Sequence, residues 1–172
     1  MHGKEVMSTL DLDIQELRRR LSEGSIQRAY NGIVSFMSHL RTVFVSQQGE
    51  RAVSELYQGY LDMTYFSLFP DELKKRNLKL AIVFNYQNFR FEVWLAARNR
   101  QLQRRYWELF SDGGYKKHLL AKPAVGIDAI VEAALATDCS FEAEDNLTAQ
   151  IVEGVKAFER DITAFLGEVD AR

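Results

Sequence analysis

Six residues in the middle of the chain have types and spacings that could make a site: Asp62, Thr64, Asn85, Arg90, Glu92 and Trp94. Arginine carries a rigid fork of donors that matches a carboxylate or a phosphate. The indole of Trp94 is a flat apolar wall, and Tyr60 could add another. Apolar walls with a few converging polar groups are the usual make-up of a small-molecule site. The implied chemistry is recognition of a small anionic ligand. Arg90 would hold the charge and Trp94 would stack on the ligand. Asp62 and Glu92 would align the arginine or accept hydrogen bonds. The plainer alternative is a half-solvated sheet whose Arg90 pairs with Asp62 or Glu92 across strands.

Two other functions compete. Asp62 and Glu92 on neighbouring strands, with Lys79 near, suggest a metal-dependent hydrolase or nuclease in which carboxylates hold Mg²⁺ and a lysine orients water. Val93 and Trp94 follow Glu92, so the Glu-x-Lys pattern of such enzymes is broken. The second is a protein or nucleic-acid interaction module on the basic segment 98–107. There Arg98, Arg100, Arg104 and Arg105 interleave with Tyr106 and Trp107. Phosphate contacts plus aromatic stacking hold single strands. Nucleic acid is not favoured, because the chain is acidic overall and arginine-rich helix faces are commonly just solvated.

The remaining motifs fail on spacing. His2, His39, His118 and Cys139 lie far apart in sequence, with no metal-ligand pattern. Gly113-Gly114 lacks the Lys-Ser/Thr of a phosphate loop. No serine-nucleophile motif occurs. Cys139 as a nucleophile needs a base that the sequence does not place. No catalytic residue, metal or cofactor is therefore expected.

A β-hairpin must position these groups. Leu78, Leu80, Ile82, Phe84 and Tyr86 alternate along one run, and Phe89, Phe91, Val93, Leu95 and Ala97 along the next. A two-residue Gln87-Asn88 turn pairs Phe84 with Phe91 and Ile82 with Val93, which puts every apolar residue on one face. A slip of one residue would destroy that agreement. The other face carries Lys79, Ala81, Val83 and Asn85 opposite Ala96, Trp94, Glu92 and Arg90. A preceding strand from about Tyr60 to Leu68 is expected beside it, with Tyr60, Asp62 and Thr64 joining this polar face. Gly59 before that strand marks a bulge or a close backbone approach.

The flanks read as helices. Asp11 or Asp13 caps a short helix with Ile14, Leu17 and Leu21 as its stripe, ended by Gly24. Ser25 opens a long helix to about Gln47, with Ile26, Tyr30, Ile33, Met37, Leu40 and Phe44 at steps of four and three. A single turn follows Pro70, capped by Asp71. Residues 98–110 form a helix that buries Leu102, Tyr106, Leu109 and Phe110. Residues 125–137 fit both periods, and a strand is the expectation. A last helix runs from Asp145 or Asn146 to about Leu166, with an acidic outer face.

The expected fold class is α+β, a small mostly antiparallel sheet built around the hairpin with helices packed on it. The 172 residues suit a single domain over 1–172, with 1–10 frayed. Residues 71–122 carry 12 Lys/Arg against 5 Asp/Glu, and residues 123–172 carry 3 against 11. The two segments either face each other across the fold or leave a basic surface for anions. One cysteine, no signal-type N-terminus and no long apolar run make a cytoplasmic location the expectation. The oligomeric state is left open.

The motifs YQGYLDMTYF, LKLAIVF and RFEVWLAARNRQLQRRYW resemble an uncharacterised bacterial protein family, a domain of unknown function. The resemblance covers about Ser25 to Leu166. It implies a small soluble bacterial protein and adds no activity.

Overall fold

The structure, a computed structural model, describes residues 8–49 and 52–171. The hairpin has the expected register. Strands β3 (Leu78–Asn85) and β4 (Arg90–Ala97) set Phe84 opposite Phe91, Ile82 opposite Val93 and Asn85 opposite Arg90. Its loop takes four residues, 86–89, rather than two. Asn85 Oδ1 accepts from the backbone N–H groups of Gln87 (3.0 Å) and Asn88 (3.1 Å), an Asx turn. Phe89 turns the chain back at φ 50°.

The strand before the hairpin departs from expectation. The chain bends at Leu61 (φ 60°) and Asp62, so a two-residue strand β1 (Tyr57–Gln58) folds back on β2 (Met63–Leu68). Gly59 allows this close approach: a Cβ there would sit 2.8 Å from the Met63 carbonyl oxygen. In β2, Thr64 lies opposite Phe84 and Phe66 opposite Ile82, while Tyr65 lies opposite Val83 and Ser67 opposite Ala81. The expected facing is thus inverted. Thr64 and Phe66 join the aliphatic face, and Met63, Tyr65 and Ser67 join the polar one.

Residues 129–136 are strand: β6 (Ala129–Ala136) pairs with the free edge of β4, and β5 (Leu119–Leu120) closes the far side. Either period would have buried these residues. The unpaired N–H and C=O groups along β4 decide for a strand. The sheet order is β1-β2-β3-β4-β6-β5, every neighbour antiparallel. The described residues also form five helices, so the fold is α+β.

By compactness the chain divides into Met1–Ser35 and Phe36–Arg172. Helix α2 (Ser25–Gln48) crosses that boundary. In the larger unit its residues Phe36, Met37, Leu40 and Phe44 are buried. Phe36 meets Phe91 edge-on at 5.3 Å and Phe44 meets Phe66 at 5.8 Å, so α2 lies on the aliphatic face of the sheet. A short helix α3 (Asp71–Lys74) precedes the hairpin, with Pro70 rather than Asp71 at its N-cap. Helix α4 (Arg100–Asp112) starts two residues later than predicted, because Asn99 Oδ1 accepts from Leu102 N–H at 2.9 Å and caps it. It buries Gln103, Tyr106 and Phe110. Helix α5 (Glu144–Asp170) has Asp145 and Asn146 in its first turn rather than at its cap. Its Phe165 stacks on Phe110 at 4.7 Å.

The basic middle and acidic tail do face each other. Arg76 pairs with Asp170, and Asp161 pairs with Lys117 (2.7 Å) and His118 (3.1 Å).

In the smaller unit, α1 (Thr9–Ser22) is capped by Ser8, not by Asp11 or Asp13. Ser8 Oγ accepts from Asp11 N–H and its hydroxyl donates to the Asp11 carboxylate, a reciprocal cap. Gly24 follows at φ 71°. Ile14, Leu17 and Leu21 form a stripe as expected, but none is buried. The frayed N-terminus predicted from sequence falls mainly on residues 1–7, outside the described residues, as do His2 and the predicted helix break at Glu50.

Candidate functional site

The polar face of β3 and β4 is organised by one carboxylate. Glu92 is 2 % exposed, and both its oxygens are filled. Oε1 accepts from Arg90 Nε (2.6 Å) and Asn88 Nδ2 (3.2 Å); Oε2 accepts from Trp94 Nε1 (2.9 Å) and Asn85 Nδ2 (3.3 Å). Period-two alternation puts residues 90, 92 and 94 on one side of β4, and the register adds Asn85 from β3. Burial pushes the Glu92 carboxyl up, but the hydrogen bonds from Arg90, Asn88, Trp94 and Asn85 outweigh it and hold the acid below its ordinary value.

Across β6, Glu132 lies opposite Trp94. Burial and then the Glu92 charge push its carboxyl up, against a smaller pull from Arg90. The folded state therefore holds this proton better than the unfolded chain does, so stability falls as pH rises from about 4.3 through the raised value. Glu132→Gln is expected to raise the melting temperature at pH 7 and to remove that fall. Melting curves recorded from pH 4 to 7 check this; an unchanged pH profile would contradict it.

Next to the cluster, the same face is hollow. Ala81, Val83 and Ala96 are small and line its floor, with Ala97 at the strand end beside it. Met63, Tyr65, Lys79, Trp94, Arg98 and Asp128 stand around them, enclosing about 230 Å³. Ala81, Val83 and Ala96 are at most 5 % exposed, while Tyr65, Lys79 and Trp94 are half-buried and Arg98 is exposed. The Lys79 ammonium lies 5.8 Å from the centre of the Tyr65 ring. Neither Lys79 nor Arg98 has a carboxylate partner among the described residues, whereas Asp128 is taken by Arg100 at 3.1 Å. A larger open groove runs between α4 and residues 123–125, flanked by Arg100 and Arg104. Arg100 is a strut there, bonded to the Ile127 carbonyl, Gln103 and Asp128.

A family model described as a domain of unknown function, DUF7000, matches residues 10–166. The chain belongs to the DUF7000 family. No curated protein and no solved structure matches it.

Four of the six candidate residues of this DUF7000 chain come together: Asn85, Arg90, Glu92 and Trp94 form the carboxylate cluster. Arg90 pairs with Glu92 along its own strand, two residues away, rather than across strands. Its Nε is committed there. Asp62 is exposed in the β1–β2 turn, where its carboxylate accepts from its neighbour's N–H, Met63, at 2.7 Å. Thr64 is fully buried on the opposite face, with its hydroxyl 3.1 Å from the Tyr86 hydroxyl. Tyr60 is exposed outside the sheet.

Tyr65 and Met63, which the sequence did not single out, line the hollow with Lys79 and Arg98, which it assigned to other readings. The alternation already placed Lys79 on the polar face. Tyr65 and Met63 required the true start of β2, which the bend at Leu61 hides. Among the described residues no group of three or more His, Cys, Asp or Glu is arranged to hold a metal ion. His118 is engaged by Asp161, and burial pushes the Cys139 thiol up. In α4, Tyr106 is buried, and Trp107 is half-buried with its indole N–H enclosed.

Proposed function

We propose that this DUF7000 protein is a binding module for a small anionic ligand with a flat apolar part, seated in the hollow of the sheet face. The observation that carries the reading is the pair of cations, Lys79 and Arg98, with no carboxylate partner among the described residues, beside a floor of small side chains walled by Tyr65 and Trp94. An anion there would be held by the two cations, and Tyr65 and Trp94 would supply apolar walls for a planar group. The volume lies below the roughly 300 Å³ where drug-sized sites begin, which favours a metabolite-sized ligand. In this reading Arg90, expected from the sequence to hold the anion, neutralises Glu92, the acceptor of the Trp94 indole N–H. A bacterial, cytoplasmic setting belongs to the same proposal. It is supported by the single cysteine; no helix among the described residues is long and apolar enough to cross a membrane.

The experiment is a thermal-shift and calorimetric screen with aromatic carboxylates, nucleoside monophosphates and inorganic phosphate. A true ligand at a hundred times its Kd is expected to stabilise the fold by about 2.7 kcal/mol. Lys79→Ala and Arg98→Ala are each expected to weaken binding about ten- to a hundred-fold, the worth of a charged hydrogen bond. Anions that bind equally well to both variants would place the site elsewhere.

A further inference from the structure

Helix α1 has an apolar stripe that none of the described residues covers. Leu10, Ile14, Leu17 and Leu21 are 66, 54, 51 and 39 % exposed. Their spacing of four, three and four puts them within an arc of about 60°. That is the narrow seam of a coiled coil, not the broad face of a helix lying on a core. Leu12 is exposed on the opposite side and takes no part.

The charges beside the seam have an order of their own. One flank carries Asp11 and then Arg18; the other carries Asp13 and then Arg20. Each flank is acidic in the first half and basic in the second. We infer that α1 pairs with the α1 of a second copy of this chain, antiparallel and around a two-fold axis between Ile14 and Leu17. In that arrangement each flank meets its own copy in reverse. Leu10 packs against Leu21 of the second copy and Ile14 against its Leu17. Asp11 faces Arg18 of the second copy and Asp13 faces its Arg20, each pair occurring twice. A parallel pair would match only Asp13 with Arg18.

The charges are available for this. Asp13 and Arg18 form no ion pair within α1. Arg20 bonds Glu16, but Glu16 is also held by Arg19 and keeps that partner when Arg20 leaves. These two guanidiniums hold Glu16 down at about 2, so it stays charged and paired near neutrality. A helix of 14 residues is about 21 Å long. Four apolar residues a side fall short of the roughly 1,000 Å² of a stable interface, so the association is weak, with a Kd on the order of 100 µM. Exposed flank charges make it weaker in high salt.

Sedimentation of the full chain from about 10 µM to about 1 mM tests this, the range bracketing the weak Kd. The wild type is expected to dimerise across it, and Leu17→Asp to stay monomeric. Asp13→Arg sets like charges face to face and is expected to weaken the dimer at least tenfold. Adding Arg20→Asp to Asp13→Arg restores attraction only in the antiparallel pairing and is expected to recover the wild-type constant. Circular dichroism and melting temperature, unchanged in each variant, show that the fold is intact. A wild type monomeric at 1 mM, a Leu17→Asp protein that still dimerises, or a double variant no better than Asp13→Arg would each overturn the inference.

Discussion

Glu92→Ala is expected to destabilise the fold by about 3–4 kcal/mol, a fall in melting temperature of roughly 6–16 °C for a chain of this length. The reason is the number of donors that converge on one buried carboxylate. Without it, the indole N–H of Trp94 and the amides of Asn85 and Asn88 lose an acceptor, and Arg90 loses its counter-charge. Arg90 is a third exposed and recovers part of its loss from water, which keeps the effect below that of a fully buried pair. Glu92→Gln keeps the shape but aims its own amide N–H at two donors. It is expected to cost about 2–3 kcal/mol.

The same carboxylate sets an acid limit. Its folded value is held below that of the unfolded chain, so the stability it gives is fully present above about 4.3 and is lost as pH falls through the folded value. Urea unfolding of wild type and Glu92→Gln at pH 7 and pH 3 measures this. The gap between the two proteins should narrow at the lower pH. A gap of the same size at both would show that the charge of Glu92 is not what holds the cluster.

The polar cluster was legible because it follows from strand alternation alone. Residues 90, 92 and 94 must share a side of β4, and the apolar pattern of the hairpin fixes Asn85 beside them. What the sequence does not disclose is which donor each oxygen takes. Arginine beside an acid reads equally well as a ligand fork and as an internal counter-ion. The facing of β2 was misread for a local reason. YQGYLDMTYF is rich in aromatic residues, so it reads as extended despite Gly59 and Asp62. Gly59 signals a close approach, but the bend itself falls on Leu61 at φ 60°, a conformation that leucine seldom adopts. The residues that share a side were read as they are, but counting Tyr60, Leu61 and Asp62 into the strand made the Thr64 set look polar and put it on the wrong side. Residues 129–136 went the other way. Their periodicity leaned to helix, but the sheet's need for a partner along β4 pointed correctly to strand. The seam of α1 was equally visible as a pattern; its exposure was not, because a stripe does not state what covers it.

Phe84→Ala is expected to be as damaging as any change in the polar cluster, at about 3–5 kcal/mol. Phe84 is fully buried at the end of β3, and its ring touches Phe91 (4.9 Å), Tyr86 (5.0 Å), Phe89 (5.3 Å) and Phe141 (6.3 Å). Phe36 reaches this group from α2 through Phe91 and Phe141. Truncation therefore leaves a cavity among rings that are held from several elements and cannot all collapse inward. Phe84→Leu fills part of the space and should cost distinctly less. Urea unfolding with an unchanged m-value is the measurement, and a loss under 1 kcal/mol would mean that the aromatic group repacks freely. The neighbouring residue on the same strand, Val83, faces the other way and lines the hollow. A Phe84→Ala protein kept below its melting temperature should thus retain ligand affinity, while Lys79→Ala should lose affinity and retain stability. Under the proposed function, a strand that separates the two effects carries its packing on one face and its recognition chemistry on the other.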